Sequence, residues 1–164
     1  EVLQVPTEKL KSLINDRLFL KSEVIFSDVK KNSVYLIHEQ EDSEGVIYLA
    51  DLLTKKGFQV FHLNYNQSQL KVFSQHRFLL SAVGSVFIFH SHKNHKWVSA
   101  KLNELLKAPG YGREREFDLK GIYMKDSTII EKVSTSFDTL EQFCFGESFK
   151  EVDFIQSLER VTGK

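Results

Sequence analysis

The sequence predicts an α/β protein of the flavodoxin-like type, a three-layer sandwich built on a central parallel sheet of about five strands. Three observations lead there. Apolar runs without polar alternation recur at residues 34–37 (VYLI) and 86–89 (VFIF), which is how strands covered on both faces read. Each run is followed by a short polar segment and then by apolar residues at helical spacing. Loops of a few residues between alternating strands and helices imply a parallel sheet with right-handed crossovers and helices on both faces. In the flavodoxin-like strand order the first and third strands are neighbours at the switch point, where such sheets bind ligands beyond the carboxyl ends of their strands. That order is expected to bring residues 38–42 beside residues 90–95.

The elements follow in turn. Thr7, between Pro6 and Glu8, is a suitable N-cap for a helix whose stripe is Leu10, Leu13, Ile14 and Leu18. Residues 21–32 mix apolar residues and lysines without a period. Residues 1–32 are therefore expected to be an N-terminal helix and linker, either packed on the fold or the end of an upstream domain, and residues 33–164 the α/β domain. After the strand at 34–37 and the polar segment 38–44, Val46, Leu49, Ala50 and Leu53 repeat as a helix that Gly57 closes as a C-cap. Residues 58–63 read as the next strand and 67–82 as a helix. The third unit, 86–106 (VFIFHSHKNHKWVSAKLNELL), is a buried strand, a polar loop and a helix with Val98, Leu102, Leu105 and Leu106 at i, i+4, i+7 and i+8. Pro109, Gly110 and Gly112 break either period and mark a loop. Residues 121–124 read as a strand, 129–135 as a further one, and 152–161 as a closing helix carrying Phe154, Ile155 and Leu158. No period is assigned to residues 136–150, whose Phe137, Phe143, Phe145 and Phe149 suit either core or an exposed patch.

Composition excludes several classes. The 164 residues are 41% hydrophobic and 27% charged, as in one globular domain. Lys plus Arg and Asp plus Glu both number 22, so no basic excess favours nucleic acid. Cys144 is the single cysteine, which excludes an internal disulfide and thiolate zinc motifs and suits a reducing, cytoplasmic location. No apolar run is long enough for a membrane span. The chain begins at Glu1 and not at Met, as expected of a piece of a longer polypeptide.

A strand ending in HEQED, a helix closing with KKGFQV, a strand VFIFHS, the run KWVSAKLNELLKAPGYGRERE and a strand KGIYM together resemble the TIR-like (Toll/interleukin-1 receptor-like) domains attached to bacterial STAND-type nucleotide-hydrolysing proteins. The likeness covers about residues 33–124 and is most specific over 97–113. It implies a non-catalytic module of a larger bacterial signalling or antiviral-defence protein, acting by self-association or by binding a partner protein, with an upstream ATPase-type domain in the same chain and without a cofactor. NAD-cleaving TIR domains carry a glutamate on the helix after the third strand, in a pattern of Trp, Cys, two variable residues, Glu and Leu. The matching stretch here is Trp97 to Leu102, and Lys101 holds the glutamate position. An ammonium there opposes the positive charge that develops on the ribose. The alternative is an enzyme with NAD as substrate and a displaced carboxylate, Glu104 one turn on or Glu39 or Glu41 after the first strand.

The residues themselves point to a ligand site at the switch point formed by His38, Glu39, Asp42, His90, Ser91 and Trp97. His90, His92 and His95 are candidate metal ligands. With Glu39, Glu41 and Asp42 across the switch point they would suit zinc, iron or manganese, although the spacing matches no strong signature and no resident metal is expected. Glu41-Asp42 is an acidic pair like that of phosphate-receiving domains, but His90-Ser91 stands where those need an aspartate. No nucleophile elbow surrounds Ser91, so hydrolase chemistry is not expected. The loop carrying Tyr111, Arg113 and Arg115 lacks the P-loop lysine and alternates arginines with Glu114 and Glu116, and its Tyr and Arg are residue types frequent at interaction hot spots.

Overall fold

The computed structural model describes residue 29 and residues 31–91, 95–124, 140–144 and 151–163. Five strands, β1 (Ser33–Ile37), β2 (Gln59–His62), β3 (Ser85–His90), β4 (Leu119–Met124) and β5 (Leu140–Cys144), form one sheet in the order β2-β1-β3-β4-β5. Every pairing is parallel. Among the described residues four helices connect or follow them: α1 (Ser43–Lys55), α2 (Gln69–Ala82), α3 (His95–Leu106) and α4 (Glu151–Thr162). This is the flavodoxin-like three-layer arrangement, and β1 lies beside β3 with Ile37 level with Ile88.

The two faces of the sheet are sorted by strand parity. Tyr35, Ile37, Val86, Ile88, Ile122 and Met124 point to the layer of α2 and α3, where they meet Leu79, Leu80, Val98, Leu102 and Leu105. Val34, Leu36, Phe87, Phe89 and Tyr123 point the other way, onto Val46, Leu49 and Leu53 of α1 and Phe154 and Leu158 of α4. The second face is aromatic. Phe87 meets Phe154 edge-on at 4.7 Å between ring centroids, and Phe89 stacks on Tyr123 at 5.3 Å.

Gly57 ends α1 as the sequence predicts. At φ 83° it lets its own N–H reach the Thr54 carbonyl (2.9 Å) while the Phe58 N–H reaches Leu53 (3.1 Å), the paired bonds of a Schellman motif. That reversal sends Phe58 into the core and starts β2. The strand expected over 58–63 is shorter, Gln59–His62, and the helix expected from 67 starts at Gln69. The fifth strand lies inside the stretch to which the sequence assigns no period. Among the described residues it pairs with β4 alone, and its LEQFC sequence does not carry the unbroken apolar run of a central strand. The strand expected at 129–135, the helix around Leu10, and Phe137, Phe145 and Phe149 lie outside the described residues.

Gly121 is required by packing. A Cβ there would fall 2.4 Å from a ring carbon of Phe87, itself fully buried against Phe154. Gly121→Ala is expected to destabilise the fold by about 1–3 kcal/mol, read as a lower denaturant midpoint at unchanged slope; an unchanged midpoint would mean that the Phe87 ring moves freely.

Candidate functional site

Two buried parallel strands side by side release their chains at one place. β1 ends at Ile37 and passes through His38 and Glu39 into a 3-10 turn, Gln40–Asp42, that leads into α1; β3 ends at His90 and passes into Ser91. Asp42 occupies the N-cap position of α1, where a carboxylate usually bonds the first free amides. Its side chain makes no such bond. It turns instead to β3 and accepts hydrogen bonds from the Ser91 hydroxyl and, at 3.4 Å, from the Ser91 amide. Asp42 is only 3% exposed, so this bridge ties the two strand exits together inside the protein.

Glu39 completes the group. Its Oε2 lies 3.9 Å from Nδ1 of His90, and one ligand-type atom each from Glu39, Asp42 and His90 falls within 4.8 Å of the others. The His90 ring is buried and stacked on Trp97 of α3, 5.6 Å between centroids and 19° from parallel. Above that indole stands the Lys101 ammonium, 5.9 Å from the ring centre. The structure thus brings Glu39, Asp42, His90, Ser91 and Trp97 to one spot. Glu41 is exposed, His92 lies outside the described residues, and His95 begins α3.

His38 faces the β2 side. Its Nδ1 bonds the Glu39 carbonyl at 2.7 Å, its ring meets Tyr65 edge-on at 5.1 Å, and the Tyr65 hydroxyl donates to the His38 carbonyl. Burial, working against the pull of the Glu39 carbonyl, holds the imidazole below its ordinary pKa. A carbonyl only accepts, so Nδ1 carries the proton of the neutral ring. His38, Gln40, Glu41, His62 and Tyr65 line a cavity of about 570 Å³.

Glu104 belongs to a different construction. The buried Tyr35 hydroxyl of β1 bonds Nδ1 of His76 on α2 at 2.7 Å, and Nε2 of His76 bonds Oε2 of Glu104 on α3 at 2.9 Å. Lys101 donates to that same oxygen at 2.9 Å. A neutral His76 protonated on Nε2 satisfies the line without a second charge: Tyr35 donates to it and it donates to the carboxylate. Burial alone would raise the Glu104 pKa, but the bonds from His76 and Lys101 outweigh it and bring it down to about 2. His76, Lys101 and Glu104 also line a cavity of about 620 Å³ with Ile37, Gln40 and Tyr65. Tyr35 and His76 are absent from the sequence-based site. A tyrosine inside an apolar strand is the one signal of them, since a buried hydroxyl needs a partner.

The loop after α3 is fixed from within. Gly112 takes the left-handed conformation at φ 93° and turns Arg113 inward, where Nη1 donates to the carbonyls of Leu80 (3.1 Å) and Val83 (2.8 Å) at the end of α2, and Nη2 donates to the backbone carbonyl of Glu116 (3.2 Å). Its guanidinium lies 3.5 Å from the Phe117 ring centre. Arg113 is buried and joins this loop to the free carbonyls of a helix end, a favourable place for a cation. Tyr111 packs partly on the core with Arg77 above its ring at 4.7 Å, and Arg115 is exposed.

Compared with known proteins, the chain matches no family model, no curated protein and no solved structure. No helix among the described residues is long and apolar enough to cross a membrane. What fold and site define together is a flavodoxin-like α/β protein with a polar cluster at the β1/β3 switch point.

The sign of the pH dependence follows from Glu104. Its folded pKa lies below its unfolded value, so its stabilising contribution is present above about pH 4.5 and is lost as pH falls toward about 2. Removing that carboxylate by Glu104→Gln is expected to flatten this acid limb and to cost about 1–2 kcal/mol at neutral pH, measured by urea unfolding between pH 2 and 7; a limb of unchanged steepness would place the responsible carboxylate elsewhere.

Proposed function

We propose that this chain is a TIR-like interaction module that works by associating with copies of itself or with a protein partner, within a larger bacterial signalling or defence protein whose nucleotide-hydrolysing domain supplies the trigger. The observation that carries this reading is the state of the α3 carboxylate. Lys101 stands where the NAD-cleaving relatives of the resembled family place glutamate, and Glu104 is engaged through Oε2 by both Lys101 and His76. A ribosyl centre gaining positive charge at this helix would meet an ammonium and a carboxylate already neutralised by it, the opposite of what the cleavage needs. Exposed apolar side chains supply the interaction. Leu70 and Phe73 lie three positions apart on α2 and are 71% and 56% exposed, at the rim of the 620 Å³ cavity.

One observation favours the enzymatic alternative, namely that Glu104 borders that cavity beyond the carboxyl ends of β1 and β2, where NAD would be bound as a substrate. A single experiment separates the two. At high protein concentration with NAD present, the protein is expected to release no nicotinamide while light scattering rises with concentration, and Leu70→Glu together with Phe73→Glu weakens the association about tenfold or more with unchanged circular dichroism. Nicotinamide release that disappears in Glu104→Gln would transfer the assignment to the NAD-cleaving enzyme.

A further inference from the structure

We propose that Glu39, Asp42 and His90 form a binding site for one divalent transition-metal ion, a role independent of whether the chain turns over NAD. The donors come from separate segments that only the sheet topology joins: the exit of β1, the turn before α1 and the last residue of β3. Their ligand atoms already lie within 4.8 Å of one another. Around an ion with bonds of about 2.1 Å, adjacent donors stand about 3–3.5 Å apart, so a closure of about an ångström completes the set. Glu39 can supply it, because its side chain is 20% exposed and sits at the edge of the group.

The other two donors are held in advance. Trp97 stacks on the His90 ring and fixes the direction of Nδ1, which faces Glu39 Oε2 at 3.9 Å. Ser91 bonds the Asp42 carboxylate through its amide and its hydroxyl, the kind of outer hydrogen bonds that orient ligating carboxylates. Asp42 forgoes capping α1 to take this position. One imidazole and two carboxylates, with no sulfur, suit Mn²⁺, Fe²⁺ or Zn²⁺ in preference to Mg²⁺ or Ca²⁺, which favour all-oxygen shells. Three protein ligands leave the remaining positions to water.

Trp97 is the only tryptophan of the chain and lies against one proposed ligand, so its fluorescence reports on this site. Tag-free full-length chain titrated with MnCl2 is expected to show saturable quenching of tryptophan fluorescence at one equivalent, reversed by chelator and displaced by ZnCl2. Electron spin echo spectra of the bound Mn²⁺ should show nitrogen coupling from a single imidazole. Glu39→Gln, at a partly exposed side chain that leaves the core intact, is expected to weaken binding about tenfold or more, as is Asp42→Asn where it folds. The proposal is overturned by absence of saturable quenching up to millimolar Mn²⁺, by one-equivalent binding that survives Glu39→Gln unchanged, or by tighter binding of Mg²⁺ or Ca²⁺ than of Mn²⁺.

Discussion

β1 and β3 are covered on both faces, and almost every consequence in this protein follows from that. Each residue of β1 from Val34 to Ile37 and of β3 from Val86 to Phe89 is buried, half against α2 and α3 and half against α1 and α4. A parallel strand in that position has its backbone bonded on both edges and no room for unpaired polar side chains. Polar chemistry is pushed to the strand ends. Because the two strands are parallel neighbours, their carboxyl ends open at one point, and the residues just past them are forced together whatever their distance in sequence.

One line of polar groups that enters the core is matched from end to end. Tyr35 is the exception inside β1, and its hydroxyl is answered by His76, which is answered by Glu104, which is answered by Lys101. The line runs from the sheet through α2 to α3 and fixes both helices against the same strand. Arg113 does comparable work at the carboxyl end of α2, taking up the carbonyls of Leu80 and Val83. Buried polar groups of this kind narrow the choice of arrangement more than they add net stability, because breaking one leaves its partner unsatisfied.

The switch-point cluster differs in character. Its members converge from three segments, and one of them is withdrawn from a capping role that a helix start would ordinarily give it. The carboxylate on α3, by contrast, is paired with Lys101 of its own helix and accepts a hydrogen bond from His76. This division sets a bound carboxylate on the helix apart from a convergent acid-imidazole group at the strand ends.

By itself the sequence determined the strands of the centre and the helices that follow them. Unbroken apolar runs such as VYLI and VFIF, short and bounded by polar segments, read as doubly covered strands, and Gly57 announces its C-cap because the left-handed turn it adopts excludes other residues at low cost. The short loops also carried the parallel order, and with it the meeting of Glu39 and Asp42 with His90 and Ser91. What the tertiary structure alone decided depends on contacts with no local signature. Tyr35 bonds a histidine 41 positions away, Arg113 turns inward to carbonyls 30 and 33 positions away, and β5 is chosen by pairing with β4 instead of by its own pattern. Periodicity records which face of an element is apolar, but not which distant polar atom a buried side chain will find.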